Sequence, residues 1–195
     1  EMAGEHGCWW KSNYYEGSVG VPMIASMPGI LPEGGSNDTI CNLMDIGPTL
    51  IDVAGADPLH DLDGSSLWSE MTGSTRLDRN ETFSEHVGQE RIPSRMIRTG
   101  PWKYYEYHDT TPPVLFNLEK DPNELDDLGT NSTYEALRVD LSRSLHKDWD
   151  PDYVLNETSR MDQDLEVIKM WGKSVDPKHP DTLPIPEAIE DVELL

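Results

Sequence analysis

The spacing of apolar residues changes character along this 195-residue chain, and each pattern predicts a different element. Residues 21–27 (Val-Pro-Met-Ile-Ala-Ser-Met) form a nearly continuous apolar run closed by Pro28-Gly29. Such a run predicts a short strand buried on both faces, as in a parallel sheet, and Pro22 is tolerated among a strand's first residues. Ile46, Thr49, Leu50 and Val53 then recur at helical spacing and give one face to bury. Asp45 is placed as the N-cap, Pro48 lies in the first turn and Gly55 stands at C′. A strand followed by a helix is half of a βα unit, so residues 1–80 read as the end of a doubly wound α/β domain.

Beyond a polar stretch at 56–80 the period shortens. Strands are predicted at 81–87, 94–99, 102–108 and 114–118, with Gly100-Pro101 and Asp109–Pro113 as turns. The third alternates Trp102 and Tyr104 with Lys103, Tyr105 and Tyr107, which suits a local antiparallel meander. Asp121-Pro122-Asn123-Glu124 reads as a turn. Ser132-x-x-Glu135 has the spacing of a capping box, opening a helix with Tyr134, Leu137, Leu141 and Leu145 on one side. The expectation for 81–150 is therefore a small antiparallel sheet with a packed helix. Residues 151–195 read as an acidic, proline-rich tail. Met161, Leu165 and Ile168, with Trp171 near their edge, have the spacing of a short amphipathic helix, and 176–188, with Pro177, Pro180, Pro184 and Pro186, are expected to be extended, draped on another surface or disordered.

Charge removes several function classes. Thirty-seven acidic residues against fifteen basic ones give a formal charge of -22, which leaves no basic patch for nucleic acid or for an anionic membrane surface. No apolar run is long enough to span a bilayer, so the chain reads as soluble, with a cytoplasmic setting favoured. Cys8 and Cys41 stand beside apolar residues, outside any metal-ligand spacing, and read as free thiols. Asn37, Asn80, Asn131 and Asn156 each open an Asn-x-Ser/Thr sequon, whose meaning depends on a secretory context.

The densest chemistry lies at the start: Gly-Glu-His-Gly-Cys-Trp-Trp-Lys-Ser-Asn-Tyr-Tyr-Glu-Gly, residues 4–17, followed by Val21-Pro22. This stretch resembles the second half of the active-site segment of formylglycine-dependent sulfatases of the choline-sulfatase and iduronate-sulfatase type, in the alkaline phosphatase superfamily. There, a metal motif runs into Gly-Glu-His-Gly, an aromatic pair and a catalytic lysine. The similarity continues through Pro28-Gly29, Asp45–Leu50 and Ala54-Gly55. It resumes at Met96–Tyr104 (Met-Ile-Arg-Thr-Gly-Pro-Trp-Lys-Tyr) and at Leu115–Glu124 (Leu-Phe-Asn-Leu-Glu-Lys-Asp-Pro-Asn-Glu), covering residues 1–148. Gly20 stands where the family usually has a basic residue, and Asn117 and Asp126-Asp127-Leu128 also depart from its pattern.

The resemblance implies the C-terminal portion of a sulfatase acting on an organic sulfate ester, with Lys11 as the catalytic cation that holds a sulfate oxygen. Cleavage of such an ester builds negative charge on the transferring group, and a fixed cation stabilises that transition state more than the ground state. His6, His86 and Arg95 are the candidate substrate-binding residues. Calcium and the formylglycine nucleophile belong, on this resemblance, to a preceding N-terminal segment, so no metal ligand is assigned here and the chain alone is expected to be inactive. Two other readings stay open. One is a fragment of a related phosphonate or phosphodiester hydrolase. The other is a noncatalytic module, chiefly 81–195, whose tail joins copies into a homo-oligomer.

Overall fold

The alternation read at 102–107 is realised as an inner strand of an antiparallel meander. The computed structural model describes residues 1–88 and 90–175, and the chain divides into one unit over 1–151 and a second over 152–195. Residues 1–80 and 81–150 both fall within the first unit. That unit opens with a two-stranded ribbon, β1 (Met2–Ala3) and β2 (Trp9–Trp10), followed by the short helix α1 (Glu16–Val19). Two further helices follow, α2 (Ile46–Val53) and α3 (Trp68–Met71). The meander consists of β3 (Glu81–Val87), β4 (Pro93–Thr99), β5 (Trp102–Tyr107) and β6 (Val114–Asn117), in that spatial order. Each strand lies within a residue or two of its predicted span. Helix α4 (Glu135–Leu145) packs against β4 and β5.

Side chains alternate between the two faces of a strand, and the register sorts them. One face carries Arg95 and Ile97 of β4, Tyr104 and Glu106 of β5 and Leu115 of β6, and meets α4 through its buried Leu141 and Leu145. The other carries Ser94, Met96, Lys103, Tyr105 and Phe116, and meets the chain that follows β2. Tyr14 packs there with Met96, Tyr105 and Phe116 in one buried cluster. The meander and its single helix agree with the antiparallel sheet and packed helix expected for 81–150.

Four local expectations need correction. Residues 21–27 form no strand, and Val21, Met23 and Ile24 are exposed. An apolar run becomes a strand only where a neighbour pairs its backbone, and among the described residues none lies beside it. On α2, Thr49 is buried whereas Ile46 and Leu50 point outward. The cap also sits one turn earlier: Asn42 Oδ1 accepts the Met44 N–H at 2.9 Å, while Asp45 accepts the Asn42 N–H at 2.8 Å. Asn131, not Ser132, caps the turn entering α4, accepting the Thr133 N–H at 2.9 Å.

Gly55 does terminate α2 as expected. Its φ of 63° allows Gly55 N–H to reach Asp52 O at 3.0 Å and Ala56 N–H to reach Ile51 O at 3.2 Å. The described part of the second unit, 152–175, lies within one helix, α5 (Pro151–Val175), longer than the segment expected around 161–171. Met161, Leu165, Ile168 and Trp171 lie exposed along it. The extended segment expected at 176–188 falls outside the described residues. Among the described residues no helix is long and apolar enough to cross a membrane.

Candidate functional site

Lys11 follows directly on β2, in a stretch whose backbone is unusual. His6 (φ 54°), Trp10 (φ 71°) and Ser12 (φ 78°) all adopt left-handed conformations without being glycine. Each costs free energy in isolation, and such outliers concentrate where a site demands a particular geometry. The His6 ring stacks on Tyr15, with centroids 3.9 Å apart and planes 2° from parallel. Lys11 itself is 73% exposed and lies 3.4 Å from a half-exposed Glu1 carboxylate. Surface pairs of this kind contribute little, so the ammonium stays available to an anion.

The loop is held on the meander from below. Tyr14, three residues after Lys11, is buried, and its hydroxyl lies 2.9 Å from Ser94 Oγ. Ser94 Oγ in turn donates to the His86 carbonyl at 2.9 Å, so the phenol supplies the first proton of this relay. Burial pushes the Tyr14 hydroxyl above its ordinary value of 10, which keeps it a donor rather than a base. A second anchor was not legible as a site residue in the sequence. Lys103 on β5 is fully buried, and its Nζ donates to the Tyr14 carbonyl at 2.8 Å. Its alternation with Trp102 and Tyr104 placed it on a face with Tyr105; what it meets there lies far away in sequence.

The four sequence-derived site residues do not converge. His6 and Lys11 share the N-terminal loop. His86 pairs with Ser94 in the ladder and therefore shares the sheet face on which Tyr14 packs. Arg95, expected at the cleft mouth, belongs to the opposite face. Its Nη1 donates to the Leu145 carbonyl at 2.7 Å and to Asp148 Oδ1 at 2.6 Å, and its guanidinium lies 4.2 Å over the Phe83 ring. The Arg95 hydrogen bond, followed by its charge, holds the Asp148 carboxyl below the usual carboxylate range, although partial burial opposes this. Arg95 thus fastens the end of α4 to β4, and strand pleating is the reason it turns away from the loop.

A cleft of 590 Å³, lined by Glu106, His108, Asp109, His146 and Trp149 among others, includes residues of the α4 face and none of the Lys11 loop. Its lining includes a His146 Nε2–Glu106 Oε2 contact of 2.9 Å. Among the described residues no three His, Cys, Asp or Glu side chains are grouped to hold a metal ion.

A family model described as N-sulphoglucosamine sulphohydrolase, C-terminal, matches residues 4–150. Choline-sulfatase of Rhizobium meliloti (strain 1021) is 38% identical over 136 residues, 67% of this chain and 25% of that protein. Arylsulfatase K of Mus musculus is 30% identical over 185 residues, 90% of this chain and 32% of that protein. The chain therefore spans a quarter to a third of the length of these relatives. Among solved structures, BT4656 in complex with its substrate D-glucosamine-2-N,6-O-disulfate superposes with a TM-score of 0.69 at 24% identity, over 77% of this chain and 33% of that one. The phosphonate monoester hydrolase SpPMH of Silicibacter pomeroyi gives 0.54 at 22%, over 63% and 27%. Both are likenesses of fold. With three-quarters of its length inside the family match and sulfatases among its relatives, the chain belongs to the N-sulphoglucosamine sulphohydrolase C-terminal family and corresponds to the C-terminal part of a sulfatase.

Proposed function

We propose that the chain supplies the C-terminal part of an enzyme hydrolysing an organic sulfate ester, with Lys11 gripping a sulfate oxygen. One observation carries this reading: an exposed lysine flanked by left-handed Trp10 and Ser12, on a loop anchored to the sheet through Tyr14. Attack at sulfur moves charge onto the sulfuryl and leaving oxygens. A cation fixed in advance stabilises that charge without reorganising during the reaction. His6, held against Tyr15, and His86, on the sheet face below, are the candidates for substrate contact. The nucleophile and calcium come, on this reading, from residues outside this chain, so the chain alone has no turnover.

The test uses the complete polypeptide, in which this chain follows the rest of the catalytic domain, with 4-nitrophenyl sulfate as substrate. Lys11→Ala is expected to lower kcat about a hundred- to a thousandfold while the circular dichroism spectrum stays that of the parent. Full activity in the variant removes Lys11 from the mechanism. Preference for phenylphosphonate over the sulfate ester moves the reading to a phosphonate hydrolase, whose fold this chain shares. Calcium-dependent hydrolysis by the isolated chain contradicts the division of labour.

Helix α5 supports a further element of the same reading, association of copies through the C-terminal stretch. Met161, Leu165, Ile168 and Val175 recur at spacings that place them on one stripe, and all are exposed. Sedimentation of the parent as an oligomer, and of a Leu165→Glu, Ile168→Glu variant as a monomer, is the expected result. A monomeric parent refutes it.

A further inference from the structure

The two sequence signatures in the second half of the chain, Pro101–Tyr104 and Asp121–Glu124, meet at one buried point beneath the Lys11 loop. The Lys103 side chain has no solvent exposure. Besides the Tyr14 carbonyl, its Nζ reaches Glu124 Oε1 at 2.7 Å and Glu16 Oε1 at 2.5 Å. The second oxygen of Glu124 accepts the backbone N–H of Glu16 at 2.6 Å. One lysine and one glutamate therefore hold the chain from Tyr14 to Glu16 by its main chain on both sides of Tyr15. Tyr15 is the residue on which His6 stacks.

Two features separate this cluster from ordinary core packing. A buried ion pair is generally no better for stability than apolar residues of the same volume, because desolvating both charges offsets their attraction. The charges here reach across to a loop, where direction matters and an apolar contact would supply none. Glu124 also sits in a left-handed backbone conformation, φ 55°, that glycine would adopt without strain. The strain is tolerated where the carboxylate has both oxygens engaged, by Lys103 and by the loop.

We infer that Lys103 and Glu124 are positioning residues for Lys11: together they fix the height and direction of the loop that presents its ammonium. The inference rests on the proposal that Lys11 grips a sulfate oxygen. Misplacing a transition-state contact by about 1 Å can cost on the order of a hundredfold in rate, so the clamp governs catalysis without touching substrate.

The experiment again uses the complete polypeptide, comparing the parent with Lys103→Met, Glu124→Gln and each of these combined with Lys11→Ala. Alone, either clamp variant should lower kcat by about ten- to a hundredfold. In the Lys11→Ala background the same change should cost less than about twofold, because residues acting through one another are not additive. Amide exchange over residues 9–16 should rise about tenfold or more, with exchange over 93–117 unchanged. Glu124→Gln keeps the shape of the side chain and serves if Lys103→Met fails to fold. A clamp variant that loses the same factor with and without Lys11 overturns the inference, as does unchanged exchange in the loop. Full activity in Lys11→Ala alone overturns the reading of Lys11 instead, a result distinguishable because the exchange measurement does not depend on turnover.

Discussion

Arg79 meets Asp45 through two parallel hydrogen bonds, Nη1 to Oδ2 at 2.5 Å and Nη2 to Oδ1 at 2.9 Å. The carboxylate is fully buried and also accepts the N–H groups of Asn42 and Ser65, both at 2.8 Å. One side chain thus ties together the turn before α2, the loop at 65 and the strand-entering residue 79. Burial alone would raise its pKa. The bonds from Arg79, Asn42 and Ser65 outweigh burial and leave the carboxyl below its ordinary 3.8.

A carboxyl depressed in the folded state stabilises the fold fully above its unfolded value, and that contribution fades as pH falls through the folded one. Asp45→Asn should therefore lower stability near neutral pH by about 3 kcal/mol, the cost of leaving Arg79 unpaired. The deficit should shrink steadily below about pH 4. Urea unfolding at stepped pH values measures it, and a deficit independent of pH would exclude the ion pair as its source.

Gly64 and Gly129 stand where any side chain would run deep into backbone. A Cβ on Gly64 would lie 2.0 Å from the Met44 carbonyl oxygen, and one on Gly129 would lie 1.9 Å from that of Pro113. Gly64→Ala and Gly129→Ala should each cost at least about 1–3 kcal/mol, since the backbone must move. Gly47, inside α2 with nothing within 4 Å of its Cβ position, provides the contrast. Gly47→Ala should stabilise by about 0.5–1 kcal/mol. Thermal unfolding of the three variants checks the order.

Arg95→Lys should behave as a loss, not a conservative change. Arg95 Nη1 serves the Leu145 carbonyl and Asp148 at once while the guanidinium plane covers Phe83. An ammonium reproduces neither the stacking nor the additional contact of Nε with Glu85 Oε1 at 3.2 Å. A loss of about 2 kcal/mol is expected, with exchange rising at the C-terminal end of α4 and unchanged over residues 9–16. Loosening in that loop instead would show that Arg95 acts on the opposite face.

Tyr14, Tyr104 and Tyr105 carry hydroxyls that burial, before any other influence, holds above the ordinary 10. Their neutral forms are favoured in the fold, so this stabilisation is present below the unfolded value and lost as pH rises through the folded one. Phenolate absorbance should therefore grow in two stages on alkaline titration, the later coinciding with loss of the far-ultraviolet dichroism. One smooth stage near the ordinary value would contradict the burial of these rings.

The meander was legible because its signals are local. Strand length, alternation and turn residues at 100–101 and 109–113 fix four strands without reference to anything distant. The helical stripe of Leu137, Leu141 and Leu145 was legible for the same reason. Residues 21–27 misled because apolar composition reports a preference for burial, whereas strand formation needs a neighbour to pair with. Asp45 misled differently: its spacing suits a cap, yet its oxygens go to Arg79 and Ser65, which lie 34 and 20 residues away. Lys11 could be singled out from its surroundings in sequence. Lys103 and Glu124 could be quoted as parts of signatures but not joined, because their meeting depends on the return of β5 and β6 beneath the N-terminal loop.

The pleat of β5 assigns neighbouring residues to different duties. Lys103 and Tyr105 look toward the lysine loop, while Tyr104 and Glu106 look toward α4. Substituting this strand one position at a time should therefore yield a sawtooth in turnover, which responds at 103 and 105 more than at 104 and 106, while thermal tolerance responds on both faces. Selection for a faster enzyme would thus be confined to every other position of this six-residue strand, whereas selection for a hardier protein could draw on all of its buried ones.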